Sequence, residues 1–138
     1  MSFSNPDDAT IRDWLRGARS IAVVGLSPNP ARPSHRVAKA MQSFGYQIIP
    51  VRPGVEEVLG ARAYGSLADV SEPVDIVDVF RAPDLLAPVV DDCISRGFPR
   101  LWLQDGVINP AEAARARDAG IQVVMDRCIW RDYIALMT

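Results

Sequence analysis

Apolar positions along the chain follow two alternating rhythms. Ile11, Trp14, Leu15 and Ala18 recur at i, i+3, i+4 and i+7, which predicts an amphipathic helix over 7–19. Asp7 and Asp8 favour its N-terminus through the helix dipole. Ile21-Ala22-Val23-Val24 is then an unbroken apolar run that stops at Gly25. Without polar alternation, such a run fits a strand buried on both faces of a parallel sheet. A Pro-rich loop follows, Ser27-Pro28-Asn29-Pro30-Ala31-Arg32-Pro33. Ser34 reads as the N-cap of a helix carrying Val37, Ala38, Met41 and Phe44, stopped by Gly45. Tyr46 to Val51 is the next strand, ended by Pro50 and Pro53.

The alternation continues downstream. A short element near Ala63-Tyr64 precedes one helical turn over Ser66–Val70. Val74–Phe80 is a strand, Asp84–Arg96 a helix stopped by Gly97, and Arg100–Leu103 a strand. Pro110–Ala119 is a helix stopped by Gly120, Ile121–Met125 the last strand, and Trp130–Met137 a short terminal helix. Strands that alternate with helices build right-handed βαβ units and a parallel sheet covered on both faces. The fold class is therefore α/β, Rossmann-like and doubly wound, with a mainly parallel sheet of about five to six strands. One domain over 1–138 is expected, with an N-terminal helix over 1–19, a core over 20–128 and a C-terminal tail over 129–138.

Composition narrows the function. The 138 residues carry 15 Lys+Arg against 17 Asp+Glu, a formal charge of −2. That balance excludes a general nucleic-acid binder, whose affinity comes from neutralising phosphates. No apolar run approaches the ~18 residues needed to cross a bilayer, so no membrane partner is expected. Cys93 and Cys128 are far apart and match no metal spacing, which fits reduced thiols in the cytoplasm. Of the 15 basic residues 14 are Arg, with Lys39 the single Lys. Composition explains most of them, such as Arg12, Arg16, Arg115 and Arg117 on helix faces. Arg32, Arg52, Arg81 and Arg127 instead fall at predicted carboxyl ends of strands, where they could form a local basic rim.

In an open parallel sheet, ligands bind outside the carboxyl ends of the strands. That rule selects Gly25, Leu26 and Ser27 with the loop to Ser34, then Pro50, Val51 and Arg52, then Phe80 and Arg81, then Gln104, Asp105 and Gly106, and finally Asp126, Arg127 and Cys128. Gly25 allows a sharp turn and close approach to a ligand. Ser27, Ser34 and the free N–H groups at the start of the following helix form an anion site suited to a phosphate. The loop lacks a full GxGxxG. An NAD site usually places an acid after the second strand, but here the chain reads Pro50-Val51-Arg52-Pro53. Arg52 suits a ribose phosphate, which NADP carries at the 2′ position and coenzyme A at the 3′ position.

Catalytic candidates are sparse. His35, the single histidine, reads as a solvated or capping residue. Asp75 and Asp78 lie three apart within one predicted strand and point to opposite faces. Asp105 and Asp126 share an edge and could approach each other, while Asp126-Arg127 reads as an ion pair. Cys128 at that edge could meet a ligand thiol, although a buried free cysteine is commoner. Trp102 or Trp130 could pack a homodimer if exposed. No metal site and no catalytic residue is expected. The pattern favours a binding module over an enzyme. A small NADP-dependent enzyme, or a regulatory subunit-interaction domain with a vestigial nucleotide site, remains the alternative.

Several segments in order carry a family resemblance. They are Ile21–Ser27, Pro30–Val37, Ile49–Pro53, Ser66–Val70, Val74–Arg81, Leu101–Gln104 with Gly106-Val107, and Val124–Cys128. Together they resemble the small stand-alone CoA-binding proteins, themselves similar to the CoA-binding Rossmann domain of the succinyl-CoA synthetase alpha subunit. The resemblance implies a Rossmann fold that binds coenzyme A or an acyl-CoA. It implies a phosphate-side loop at Gly25, Ser27 and Arg32–Ser34, and a nucleotide-side loop at Pro50–Arg52. It further implies a contact over the adenine or pantetheine from Phe80 and Arg81, and a wall from Gln104 to Val107. Arg52 departs from the family, which often has Asn or Ser before a Lys there. The synthetase's phosphohistidine has no counterpart, so its ligase reaction does not carry over.

Overall fold

The computed structural model describes residues 3–137. Met1, Ser2 and Thr138, at the ends of the expected N-terminal helix segment and C-terminal tail, lie outside the described residues. Along the chain the strands are β1 (Ser20–Val24), β2 (Gln47–Val51), β3 (Glu57–Val58), β4 (Ala61–Arg62), β5 (Ile76–Val79), β6 (Arg100–Leu103) and β7 (Gln122–Met125). The helices are α1 (Asp8–Gly17), α2 (Pro33–Ser43), α3 (Ala87–Arg96), α4 (Pro110–Asp118) and α5 (Ile129–Met137). Five strands form one parallel sheet in the order β2-β1-β5-β6-β7, while β3 and β4 make a separate small hairpin.

Strand pleating sorts the apolar runs between two cores. Ile21 and Val23 pack with Ile11, Trp14, Ala38, Met41 and Ile129, on the face covered by α1, α2 and α5. Ala22 and Val24 pack with Val89, Val90, Cys93, Ala113 and Ala116, on the face covered by α3 and α4. Burial on both sides is why β1 reads as a continuous apolar run. Among the described residues, no helix is long and apolar enough to cross a membrane.

Several boundaries differ from expectation for local reasons. α2 begins one residue early, with Pro33 in its first turn and Arg32 at the cap position, so Ser34 is not its N-cap. The fixed φ of proline suits that first helical position. Pro50 does not end its strand but lies inside β2, paired with Val23. β2 is an edge strand, and the Pro50 carbonyl turns outward to accept from Tyr64 N at 3.0 Å. The missing N–H therefore costs the sheet no ladder bond. The expected helix over 84–96 divides into a short turn at Pro83–Leu85 and α3. Trp102 is fully buried, edge-on to Trp14 with ring centroids 6.0 Å apart, and its Nε1 donates to Arg127 O at 2.8 Å. It belongs to the core and cannot serve a dimer surface; Trp130 is exposed. The terminal helix α5 packs on α1 and α2, with Phe44 and Tyr133 stacked 4.1 Å apart.

Candidate functional site

The sheet's strand order reverses beside β1: the chain goes outward to β2, then returns to the other side of β1 at β5. In doubly wound sheets such a switch point opens a crevice at the carboxyl edge. Gly25 follows β1 and Phe80 follows β5 across that point. Gly25 N donates to Val51 O and Phe80 N to Val24 O, both at 2.9 Å, so three strand ends are tied together there. Gly25 has φ +82°, and a Cβ on it would lie 2.3 Å from the Phe80 carbonyl oxygen. Only a residue without a side chain fits.

The loop beyond Gly25 is shaped by its own side chains. Ser34 Oγ accepts from Ser27 N at 3.0 Å, across the loop's base. Ser27 Oγ accepts from Asn29 N at 3.1 Å, and Asn29 Oδ1 accepts from Ala31 N at 3.0 Å. Short Ser and Asn side chains bonding two residues ahead are what hold such turns. The loop, α2's first turn, Arg52 and Phe80 enclose a cleft of about 530 Å³. Arg32 and Arg52 both line it, and no carboxylate does. Arg52 Nη1 reaches Gly25 O at 3.4 Å, and neither arginine has an ion pair among the described residues.

A second cleft of about 630 Å³ shares Pro33 and Phe80 with the first. Its walls include Val37, Arg81, Ala82, Gln104, Gly106 and Cys128. Gln104 is buried, and its Oε1 accepts from Ile129 N at 3.0 Å, which anchors the start of α5. Asp126 Oδ1 accepts from Gly106 N at 2.8 Å.

The structure thus brings Gly25, Ser27, Arg32, Ser34, Arg52 and Phe80 to one cleft, and Phe80, Arg81, Gln104 and Gly106 to its neighbour. Val51 and Arg81 line a smaller hollow on the α3 face, and the buried Leu26 and Pro50 line none of these spaces. Pro33, within the Arg32–Ser34 stretch expected on the phosphate side, lines the first cleft, as do Pro28 and Asn29, which were not named individually; the Pro- and Asn-rich turn composition was their signal.

The acidic and histidine readings need correction. His35 is buried on α2, not solvated. Asp126 and Arg127 do not pair: Arg127 Nε donates to Asp132 Oδ2 at 2.7 Å, and its Nη2 lies 3.5 Å from Asp8. That removes Arg127 from any free basic rim. Asp105 pairs with Arg131 at 2.7 Å, which holds its carboxyl below the usual range, so Asp105 and Asp126 have separate partners. Asp75 lies outside β5 and accepts from Arg19 N and Ser20 N. Asp78 is buried in β5 between Val23 and Trp102, with no partner for its Oδ1 among the described residues; burial pushes its carboxyl well above the usual range.

Comparison with known proteins decides the family. The pattern of the CoA binding domain matches residues 19–133. The chain belongs to the CoA binding domain family. It is 43% identical over 127 residues to the uncharacterized protein YneT of Bacillus subtilis, covering 92% of this chain and 94% of that one. A solved structure of a hypothetical protein from Pyrococcus horikoshii is 34% identical, with a TM-score of 0.92 and both chains covered over 100% of their lengths. An ADP-forming acetate–CoA ligase of Methanocaldococcus jannaschii is 28% identical over 85 residues, covering 61% of this chain and 12% of the ligase. The family is therefore found both as small proteins of this length and as a part of much larger ligases.

Proposed function

We propose that this chain binds coenzyme A, or an acyl-CoA, at the carboxyl edge of its sheet, as a binding module without a reaction of its own. Family membership supports the ligand. The observation that carries the site is the pair Arg32 and Arg52, lining one cleft with no carboxylate beside them. At the start of α2 Pro33 has no N–H and the His35 and Arg36 N–H groups bond Arg32 O, so the Ser34 N–H, at the positive end of the helix, is the group there that suits the diphosphate. Arg52, at the end of β2, suits the 3′-phosphate, which its planar fork can hold through two bonds. Phe80 stands between the two clefts, so the pantetheine arm would cross it toward Gln104, Gly106 and Cys128.

A thermal-shift panel of CoA, acetyl-CoA, NAD, NADP and FAD tests the reading. A ligand present at about a hundredfold its Kd stabilises the fold by about 2.7 kcal/mol, enough to read clearly. CoA or acetyl-CoA should raise the Tm, and NAD should not. Stabilisation by NADP alone would favour a small redox enzyme. No shift with any nucleotide would favour a vestigial site.

A further inference from the structure

We infer that the second carboxyl-edge cleft, the one reached past Phe80, is an acyl-group subsite: Gln104 donates to the carbonyl oxygen of a CoA thioester, and a short neutral acyl chain fills the apolar floor. This rests on the proposed binding of coenzyme A and names the form of it that the chain selects. Gln104 is 4% exposed and lines that cleft. Its side chain offers an acceptor oxygen and a donor NH2, and Ile129 N can bond only the oxygen, at 3.0 Å. That bond fixes which way the amide is turned. Its Nε2 has no hydrogen-bond partner among the described residues. Nor is it one of the fully enclosed unpartnered atoms there, which are Trp14 Nε1, Asp78 Oδ1 and Arg100 Nε. The small accessible surface that Gln104 keeps therefore includes its NH2 group, and the cleft is the space it opens on. A donor set this deep gains most from an acceptor that a ligand brings, since little water competes for it.

The rest of the cleft decides the class of acyl group. Val37 and Val107 are buried and Phe80 and Cys128 half-buried, so with Gln104 they form its inner part, which carries no charge. The charged residues of the cleft, Arg81 and Asp105, are exposed at its rim, and Asp105 is already paired with Arg131 at 2.7 Å. One donor over aliphatic, aromatic and sulfur walls suits a thioester with a short hydrocarbon chain. A chain ending in a carboxylate would set its charge against Val37 and Val107, at a desolvation cost. Free CoA has neither the carbonyl nor the chain to offer. Phe80 belongs to both clefts, so a ligand whose phosphates lie beside Arg32 and Arg52 reaches this one directly.

Calorimetric titration of the full chain with acetyl-CoA, butyryl-CoA, succinyl-CoA and S-butyl-CoA, a thioether that lacks the carbonyl, tests the assignment. Butyryl-CoA should bind about tenfold more tightly than acetyl-CoA, from two further buried methylenes. It should bind about fivefold more tightly than S-butyl-CoA, the worth of one neutral hydrogen bond. Gln104→Glu keeps an oxygen for Ile129 N and removes the amide donor, so in that variant at pH 7.5 butyryl-CoA should lose its advantage over S-butyl-CoA. Equal binding of those two ligands by the natural chain would overturn the role of Gln104, whether or not the variant folds, and would leave CoA binding intact. Tighter binding of succinyl-CoA than of butyryl-CoA, or no gain from acetyl-CoA to butyryl-CoA, would overturn the apolar subsite. Binding of none of the four would overturn both the subsite and the coenzyme A reading beneath it.

Discussion

Replacing Gly25 by alanine would place one methyl group where two strand ends meet. The added Cβ would lie 2.3 Å from the Phe80 carbonyl oxygen, a backbone atom that cannot swing aside. Two effects accumulate. A left-handed residue with a side chain costs about 1–2 kcal/mol. Displacing a packed backbone to admit a methyl costs about 1–3 kcal/mol more. The expected loss is therefore about 2–5 kcal/mol, against a total stability of about 5–15 kcal/mol for a domain. Gly54 supplies the control, because it has the same φ of +82° with nothing near its Cβ position. Gly54→Ala should lose only the first part, about 1–2 kcal/mol. Urea unfolding followed by tryptophan fluorescence measures both. CoA affinity should also fall in Gly25→Ala, since the Phe80 strand end moves. Equal losses in the two variants, within about 0.5 kcal/mol, would refute the steric account of the switch point.

Other consequences follow from buried and paired groups. Asp78 is held neutral by burial, so its contribution to stability is complete below the ordinary carboxyl value of 3.8 and is lost as pH rises through its higher folded value. Asp78→Asn should therefore gain stability relative to the natural chain as pH rises from about 4 to 7; parallel pH profiles in denaturant titrations would contradict this. Arg127→Leu strips the buried Asp132 of its two hydrogen bonds, at 2.7 and 3.1 Å. It should lose roughly 1.5–3 kcal/mol, read from the urea midpoint. Cys93 is buried and its thiol is pushed up to about 12, mainly by desolvation, whereas Cys128 is half-exposed at a cleft wall. A disulfide reagent at pH 8 should label one thiol in the native chain and a second only after unfolding; two fast thiols would show that α3 does not seal Cys93.

The sheet was legible because its strands are covered on both sides. Ile21–Val24 and Leu101–Leu103 had to be continuous apolar runs, and proline and glycine marked most helix ends. The β3–β4 hairpin was not legible, since each strand has two residues and only Val58 is buried. Trp102 and His35 look like surface candidates in a one-dimensional reading. The burial of Trp102 depends on α1 and α5 folding over the sheet from the two chain ends, where Trp14 and Ile129 share its core. The carboxyl-edge rule brought Gly25, Ser27, Arg32, Arg52 and Phe80 to notice because it needs only strand ends. It could not tell a free arginine from a tied one. Arg127 finds Asp132 five residues on and Asp8 at the far end of the chain, pairings set by how helices dock.

The most direct test of coenzyme A binding at this edge is calorimetric titration of CoA and dephospho-CoA against the natural chain and Arg52→Ala. The natural chain should bind CoA more tightly by about tenfold or more, the worth of a charged hydrogen bond to the 3′-phosphate. Arg52→Ala should bind the two ligands equally. Equal affinities in the natural chain would remove Arg52 from the phosphate. Binding of neither ligand would contradict the account at its centre.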